Sequence, residues 1–265
     1  MIFLSNIIAI YRKELQGYFV SPFAYIVAAV FWALSGFFFL TILIALIQSV
    51  AQTAQNEQLG LISPPIDVAY EFLLQFFSIM GLLILFILPI FSMGLYAEER
   101  KRGTLELLAT SPITNWAVAT GKLLAVLTFF IFTISPFLIY EAIAFSSADP
   151  PLQPAVPLLA HLGLILLAAA ILSLGMFISS LTDSLILAAV LTFALALGLW
   201  IIDIIADRTI EPFRSILGHL SLLKHYNNLV RGIVDTSSLV ALFSYIVLGV
   251  FLTAQSIEAL RFSRR

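Results

Sequence analysis

The residues best placed to do chemistry lie at 98–106, where the chain reads Glu98-Glu99-Arg100-Lys101-Arg102-Gly103-Thr104-Leu105-Glu106. Six charges fall in nine positions of a protein that is only 11% charged. The stretch separates two long apolar runs, so it must lie where water or another protein meets it. Leu105, Leu107 and Leu108 follow the charges and precede Pro112. The Glu98 and Glu99 carboxylates stand at a helix start, where the backbone dipole favours anions. Gly103 breaks that helix or admits close approach. Thr104 then caps a second short helix that ends before Pro112. A solvated loop has no use for an apolar Leu-Glu-Leu-Leu face. Charges followed by that face point to docking of a soluble partner.

Catalysis has no comparable candidate. A phosphate-binding loop needs Gly-x-x-x-x-Gly-Lys-Ser/Thr, because glycine amides cradle the phosphates. Gly121-Lys122-Leu123 lacks both the first glycine and the hydroxyl. There is no Gly-x-Ser-x-Gly and no His-Glu-x-x-His. The absence of cysteine excludes disulfides, thiolate metal sites and cysteine nucleophiles. His161, His219 and His225 are scattered without metal-ligand spacing. The sequence therefore predicts no catalytic, cofactor-binding or metal-binding residues in this chain.

The elements that position the charged stretch follow from composition. The 265 residues are 61% hydrophobic, against roughly 45–50% in soluble domains. Net charge is −2, which gives no reason to expect nucleic acid. A span needs about 20 largely apolar residues, and six segments qualify: roughly 23–47, 73–96, 117–145, 157–181, 184–206 and 238–259. The expected fold is an all-α polytopic membrane protein forming a single transmembrane domain over 1–265. Pro89 and Pro136 are expected to bend spans two and three. Spans four and five form a tight hairpin at Thr182-Asp183, with Asp183 or Ser184 capping the new helix. The first apolar run begins after about 20 residues and exceeds the ~7–15 residues of a signal-peptide core, so no cleavable signal is expected.

Lys and Arg set the orientation. With both termini inside, nine fall on the inner side: Arg12, Lys13, Arg100, Lys101, Arg102, Lys122, Arg261, Arg264 and Arg265. The outer side holds Arg208, Arg214, Lys224 and Arg231, all in the 207–237 connection. Cytoplasmic termini and a cytoplasmic 97–116 segment are the expectation. Residues 5–20 read as an amphipathic helix lying flat in the interface with its aromatics in the head-group zone, ended by Gly17 and Ser21-Pro22. Residues 48–72 read as a short polar outer loop, and 146–157 hold too many prolines for a helix. Residues 207–237 are too apolar for a loop and too interrupted for a span, which fits one or two short helices dipping into the membrane and returning. Glu141, His161, Asp203 and Asp207 sit near span ends and are expected to face water. No ladder of midplane charges is present, which argues against an ion-coupled carrier.

The motif Glu98-Glu99-Arg100-x-x-Gly103-Thr104-Leu105-Glu106-Leu107-Leu108-x-Thr110-Ser111-Pro112-Ile113-Thr114, followed by Gly121-Lys122, resembles the coupling segment of ABC type-2 permeases. Arg12-Lys13-Glu14-Leu15, Tyr18-Phe19-x-Ser21-Pro22-x-Ala24-Tyr25 and Ser35-Gly36-Phe37-Phe38-Phe39 resemble the start of the gliding-motility-associated branch. Ser179-Ser180-Leu181-Thr182 resembles its span four–five turn, although Asp183-Ser184 stands where an Asn-Gln-like pair is expected. His225 before Arg231-Gly232-Ile233-Val234-Asp235 resembles the segment before its last span.

The resemblance implies a bacterial inner-membrane exporter subunit that forms the path as a dimer and performs no ATP chemistry itself. Two copies of a separate ATPase would bind ATP and Mg. Glu98, Glu99, Arg100, Arg102, Gly103, Thr104, Leu105, Glu106 and Leu108 would form the coupling surface. Residues 1–22, with Arg12, Lys13 and Glu14, would form the interface helix. The 207–237 segment would gate the exit, with His225, Arg231 and Asp235 as candidates. An auxiliary membrane partner is also implied. A scaffold or assembly factor that moves nothing is the alternative, and ATPase binding separates the two.

Overall fold

The computed structural model describes residues 2–61, 66–105, 113–146 and 152–262. Among these residues the only regular secondary structure is helix, joined by short turns. In chain order the helices are α1 (Ile2–Val20), α2 (Pro22–Gln58), α3 (Val68–Ser92), α4 (Gly94–Lys101), α5 (Asn115–Ile134) and α6 (Phe137–Phe145). They continue as α7 (Ala155–Leu181), α8 (Leu185–Arg208), α9 (Phe213–Leu220), α10 (Leu222–Val230) and α11 (Thr236–Phe262). Six stretches are long and apolar enough to cross a membrane: α2, α3 with α4, α5 with α6, α7, α8 and α11.

The helix starts are written locally. Ser21, Asp67, Thr114, Ser184 and Ser221 each precede a helix and accept a hydrogen bond from a backbone N–H three residues on. Such a side chain satisfies a donor that has no partner inside the helix. Pro22 follows Ser21 at the first helical position, where its missing N–H costs nothing.

α7 is the axis of the bundle. Of its most apolar window, 83% is buried, against 17% for α8 and 28% for α2. Its small residues allow close approach: a Cβ at Gly249 of α11 would lie 2.5 Å from the Ser173 backbone. Ser173 also donates to the Tyr245 carbonyl of α11 at 3.3 Å. Small interfacial residues of this kind drive helix packing where lipid removes the hydrophobic force. On another side, α2, α3 and α6 meet through aromatics. Phe39 stacks on Tyr140 at 4.7 Å, and Phe76 meets Phe137 edge-on at 5.0 Å.

Several expectations are corrected. α2 continues to Gln58, so the first part of the expected outer loop is helix. Its 37 residues reach about 55 Å at 1.5 Å each, well beyond a ~30 Å hydrocarbon core. The polar residues 48–58 therefore extend the helix past that thickness. The bend or break expected at Pro136 is present: span three divides there into α5 and α6, because proline supplies no amide to the preceding turn. Span two divides at Met93 into α3 and α4, four residues after Pro89.

α1 runs straight through Gly17, whose isolated cost of about 1 kcal/mol is too small to end a helix. Its aromatics pack on α5. Tyr18 stacks on Phe129 at 5.3 Å, Phe19 meets Phe129 and Phe132, and Tyr11 donates to Thr128 at 3.3 Å. α1 thus lies along α5. A Cβ at Gly121 would be 2.9 Å from Ile10 and 3.1 Å from the Ile7 carbonyl, so the glycine is what lets the two helices close.

Candidate functional site

The break between α3 and α4 is held from the side. A helix start leaves its first amides without intrahelical partners. At this start Ser179 of α7 accepts from the Tyr96 and Ala97 amides at 3.1 and 3.0 Å, and donates to the Met93 carbonyl at 2.7 Å. Arg100 donates to the Ser180 carbonyl at 2.7 Å. Two consecutive serines at the end of the central helix therefore fix both the start and the end of α4.

The other side of α4 is held by a buried lysine. Lys122 of α5 is 2% exposed. Its ammonium donates to the Leu95 carbonyl at 2.7 Å, Glu99 Oε1 at 3.0 Å and Glu14 Oε1 at 3.1 Å. It also stands 5.0 Å from the centroid of the Tyr96 ring, within range of a cation–π attraction. An ammonium has three donors, and all three are matched. One side chain thereby joins α1, α4 and α5. Tyr18 of α1 donates to the Phe91 carbonyl beside this cluster at 2.8 Å. Burial pushes its hydroxyl pKa upward, and Glu14 and Glu98 add to the shift.

α4 ends at Gly103, where φ is +70°. The Thr104 amide donates to the Glu99 carbonyl at 2.9 Å and the Gly103 amide to the Arg100 carbonyl at 3.1 Å. This paired closure requires left-handed backbone, which glycine adopts without a Cβ penalty. Beyond it Leu105 is 4% exposed and packs into the core of this chain. A cavity of about 670 Å³, lined by residues including Lys13, Glu14, Glu98, Arg102, Thr104 and Ile113, opens between α1 and the end of α4.

The residues singled out in the sequence fall into distinct groups. Glu98, Arg102, Gly103 and Thr104 are exposed, and Arg102 pairs with Glu98 at 2.5 Å. Glu99, Arg100 and Leu105 turn inward and anchor the segment. Leu105 therefore does not contribute to an exposed apolar face. Glu106 and Leu108, and the short helix expected there, lie outside the described residues. On α1, Arg12 and Lys13 are exposed, whereas Glu14 reaches Lys122. Sequence reasoning counted Lys122 as a positive charge and as part of the Gly121-Lys122 pair, and gave it no partner. Its signal was a lone lysine eight residues into an apolar run, directly after the glycine that admits α1.

The 207–237 connection forms two short helices, α9 and α10. α10 inserts among its neighbours. Tyr226 donates to the Phe77 carbonyl at 2.6 Å, and its ring would meet a Cβ at Gly81 at 2.5 Å. Gly81 lies 13 residues inside α3, about 20 Å from its start at 1.5 Å per residue. His225 is buried. Its Nε2 donates to the His219 carbonyl at 3.1 Å, and Nδ1 pairs with the Ser238 hydroxyl at 3.0 Å. Arg231 is exposed at the end of α10, and its carbonyl accepts from Tyr70 at 3.4 Å. Asp235 is exposed at the start of α11, where the Ser237 amide and hydroxyl donate to it and lower its pKa. The three gate candidates thus share a segment but do not form one cluster.

Glu141 and His161 do not face water. They are 7% exposed and half-buried, respectively, and approach to 3.6 Å. His161 Nδ1 donates to the Pro157 carbonyl at 3.0 Å. Glu141 Oε1 and His161 Nε2 are buried without a hydrogen-bond partner among the described residues. Asp203, also expected to face water, is partly buried and accepts from Ser221 at 2.6 Å.

The fold and the site define a multi-pass helical membrane protein with a braced, charged helix end and, among the described residues, no group of three or more metal-ligating side chains. The family model described as ABC-2 family transporter protein matches residues 8–265, so the chain belongs to the ABC-2 transporter family. No curated protein matches it. Membership makes the chain a membrane component of an ABC transporter, a setting in which an ATPase partner and lipid surround it.

Proposed function

We propose that this chain is the permease subunit of an ATP-driven exporter, related to the gliding-motility-associated branch. It sits in a bacterial inner membrane with both termini cytoplasmic. Two copies form the path, with an auxiliary membrane protein alongside. Two separate ATPase subunits bind ATP and Mg. The docking surface is the end of α4 and the segment after it, with α1 beside it as interface helix. The observation that carries this reading is the geometry of α4. Its exposed end carries Glu98, Lys101 and Arg102, while Glu99 and Arg100 tie it to α1, α5 and α7. A charged surface braced to the bundle suits transmission of force better than a free loop does. The α9–α10 segment, with His225, Arg231 and Asp235, is the outer gate.

Co-purification tests the reading. An ATPase subunit is expected to accompany the wild-type chain and to be lost when Glu98→Arg and Lys101→Glu reverse the exposed charges. Capture unchanged by these reversals would remove the docking role and leave a scaffold as the better account.

A further inference from the structure

We infer that Lys122 is a positioning residue that makes α1 and α4 move as one unit, so that a push on the docking surface reaches α5 through a buried ionic brace. The inference rests on the permease reading for its functional meaning but on the geometry of this chain for its mechanics.

α4 is poorly suited to pass a displacement straight along its own axis. It is separated from α3 at Met93, just before Gly94. At that break the Tyr96 and Ala97 amides bond to Ser179 instead of the preceding turn, so the backbone ladder that would pass motion of α4 along α3 is interrupted there. The strong connections of α4 run sideways. On the α7 side they are the Ser179 and Arg100 bonds. On the α5 side the hydrogen bonds and ion pairs among the described residues pass through one ammonium, which holds Glu99 and the Leu95 carbonyl of α4 and Glu14 of α1 together. Charge-assisted hydrogen bonds are about twice as strong as neutral ones, and burial shields these from water. Glu14 and Glu99 each keep only about a fifth of their side-chain surface exposed. The α1–α5 contact is close enough at Gly121 to carry the motion onward.

The brace can be read directly, because the chain has no cysteine and introduced labels are unique. Spin labels at Gln16→Cys and Lys101→Cys, both exposed positions, report the α1–α4 distance in nanodiscs. A narrow distribution is expected in the parent and a broad one in Lys122→Met. Should Lys122→Met fail to fold, Glu99→Gln keeps the ammonium on two of its partners and is expected to broaden the distribution to a lesser degree. In the reconstituted complex with its ATPase, a non-hydrolysable ATP analogue is expected to leave the 16–101 distance unchanged in the parent. Lys122→Met is expected to keep the ATPase bound but to lose about tenfold in nucleotide-driven transport, the scale of one charged hydrogen bond.

The exchange Lys122→Glu with Glu99→Lys keeps one cation between two carboxylates and is expected to restore both readouts. A merely structural role would reduce complex yield and transport together. Equal widths in the parent and Lys122→Met would overturn the brace. Failure of the wild-type chain to bind any ATPase would overturn the permease reading instead, since the distance measurement on the chain alone still decides the brace.

Discussion

Two buried ionisable sites lie on span three, and they are built in opposite ways. Near its start, Lys122 has three donors and three acceptors, all within 3.1 Å. Near its end, Glu141 and His161 approach only to 3.6 Å and leave a carboxylate oxygen and a ring nitrogen without partners. That distance is too long for a good hydrogen bond. Burial penalises charge at both sites, and both leave atoms unpartnered among the described residues, Glu99 Oε2 and the Tyr96 hydroxyl at the first and Glu141 Oε1 and His161 Nε2 at the second, but only the Lys122 ammonium has every donor matched. The lesson concerns geometry as much as energy. A saturated ammonium fixes the relative positions of three helices, whereas the Glu141–His161 contact fixes little between α6 and α7.

The sharpest way to break the contrast is to delete the lysine. Lys122→Met leaves two carboxylates facing each other without their cation and is expected to cost about 3–5 kcal/mol in thermal or denaturant unfolding in detergent. A loss below about 1 kcal/mol would mean that water or Lys13 already compensates Glu14. Next in size is Ser179→Ala. It strips two amides and a carbonyl of α4 of their shared partner, for an expected loss of about 1–3 kcal/mol. That result would show that the second tie of α4 is also structural. At the opposite site, Glu141→Gln keeps the shape and breaks no matched hydrogen bond at Oε1. It is expected to change stability by less than about 1 kcal/mol, with any change toward higher stability. A large loss would show that the Glu141–His161 contact is as fully paired as the lysine.

The smallest effect belongs to Asp235, an exposed carboxylate whose pKa Ser237 lowers. A group with a depressed native pKa contributes stability above its unfolded value, about 3.9, and that contribution is lost as pH falls through the native value. A side-chain NMR titration is expected to place its midpoint below that of Asp235 in the Ser237→Ala variant. Coincident midpoints would show that the serine does not act on it.

Much of this fold is legible in the sequence because its signals are local. Apolar run length marks six spans, and Ser21, Asp67, Thr114, Ser184 and Ser221 mark helix starts through bonds that close within three residues. Pro136 marks a break for an equally local reason. The errors arose where partners are distant. α1 looked like a surface helix because Tyr11, Tyr18 and Phe19 are amphipathic in any setting. Only packing shows that they turn to α5. Gln48–Gln58 looked like loop because polar residues end a span, although they do not end a helix. Glu141 and His161 looked like solvated span ends because sequence position near an end says nothing about which face points inward.

The charged run at 98–106 shows the same division. By itself the sequence determined that these charges lie at a membrane boundary, since six of them cannot enter an apolar span, and that a helix there closes at Gly103. It also placed the chain among ABC-2 proteins through a motif that is contiguous in sequence. Tertiary structure alone decided which of the charges face outward. Glu98 and Arg102 pair with each other within one helix turn, and spacing suffices to foresee that. Glu99 finds Lys122, 23 residues away in the chain, whose ammonium also takes Glu14, and Arg100 finds the Ser180 carbonyl 80 residues away. Those contacts depend on how α1, α5 and α7 pack, and the packing depends on glycines and serines whose small size carries no charge pattern to read.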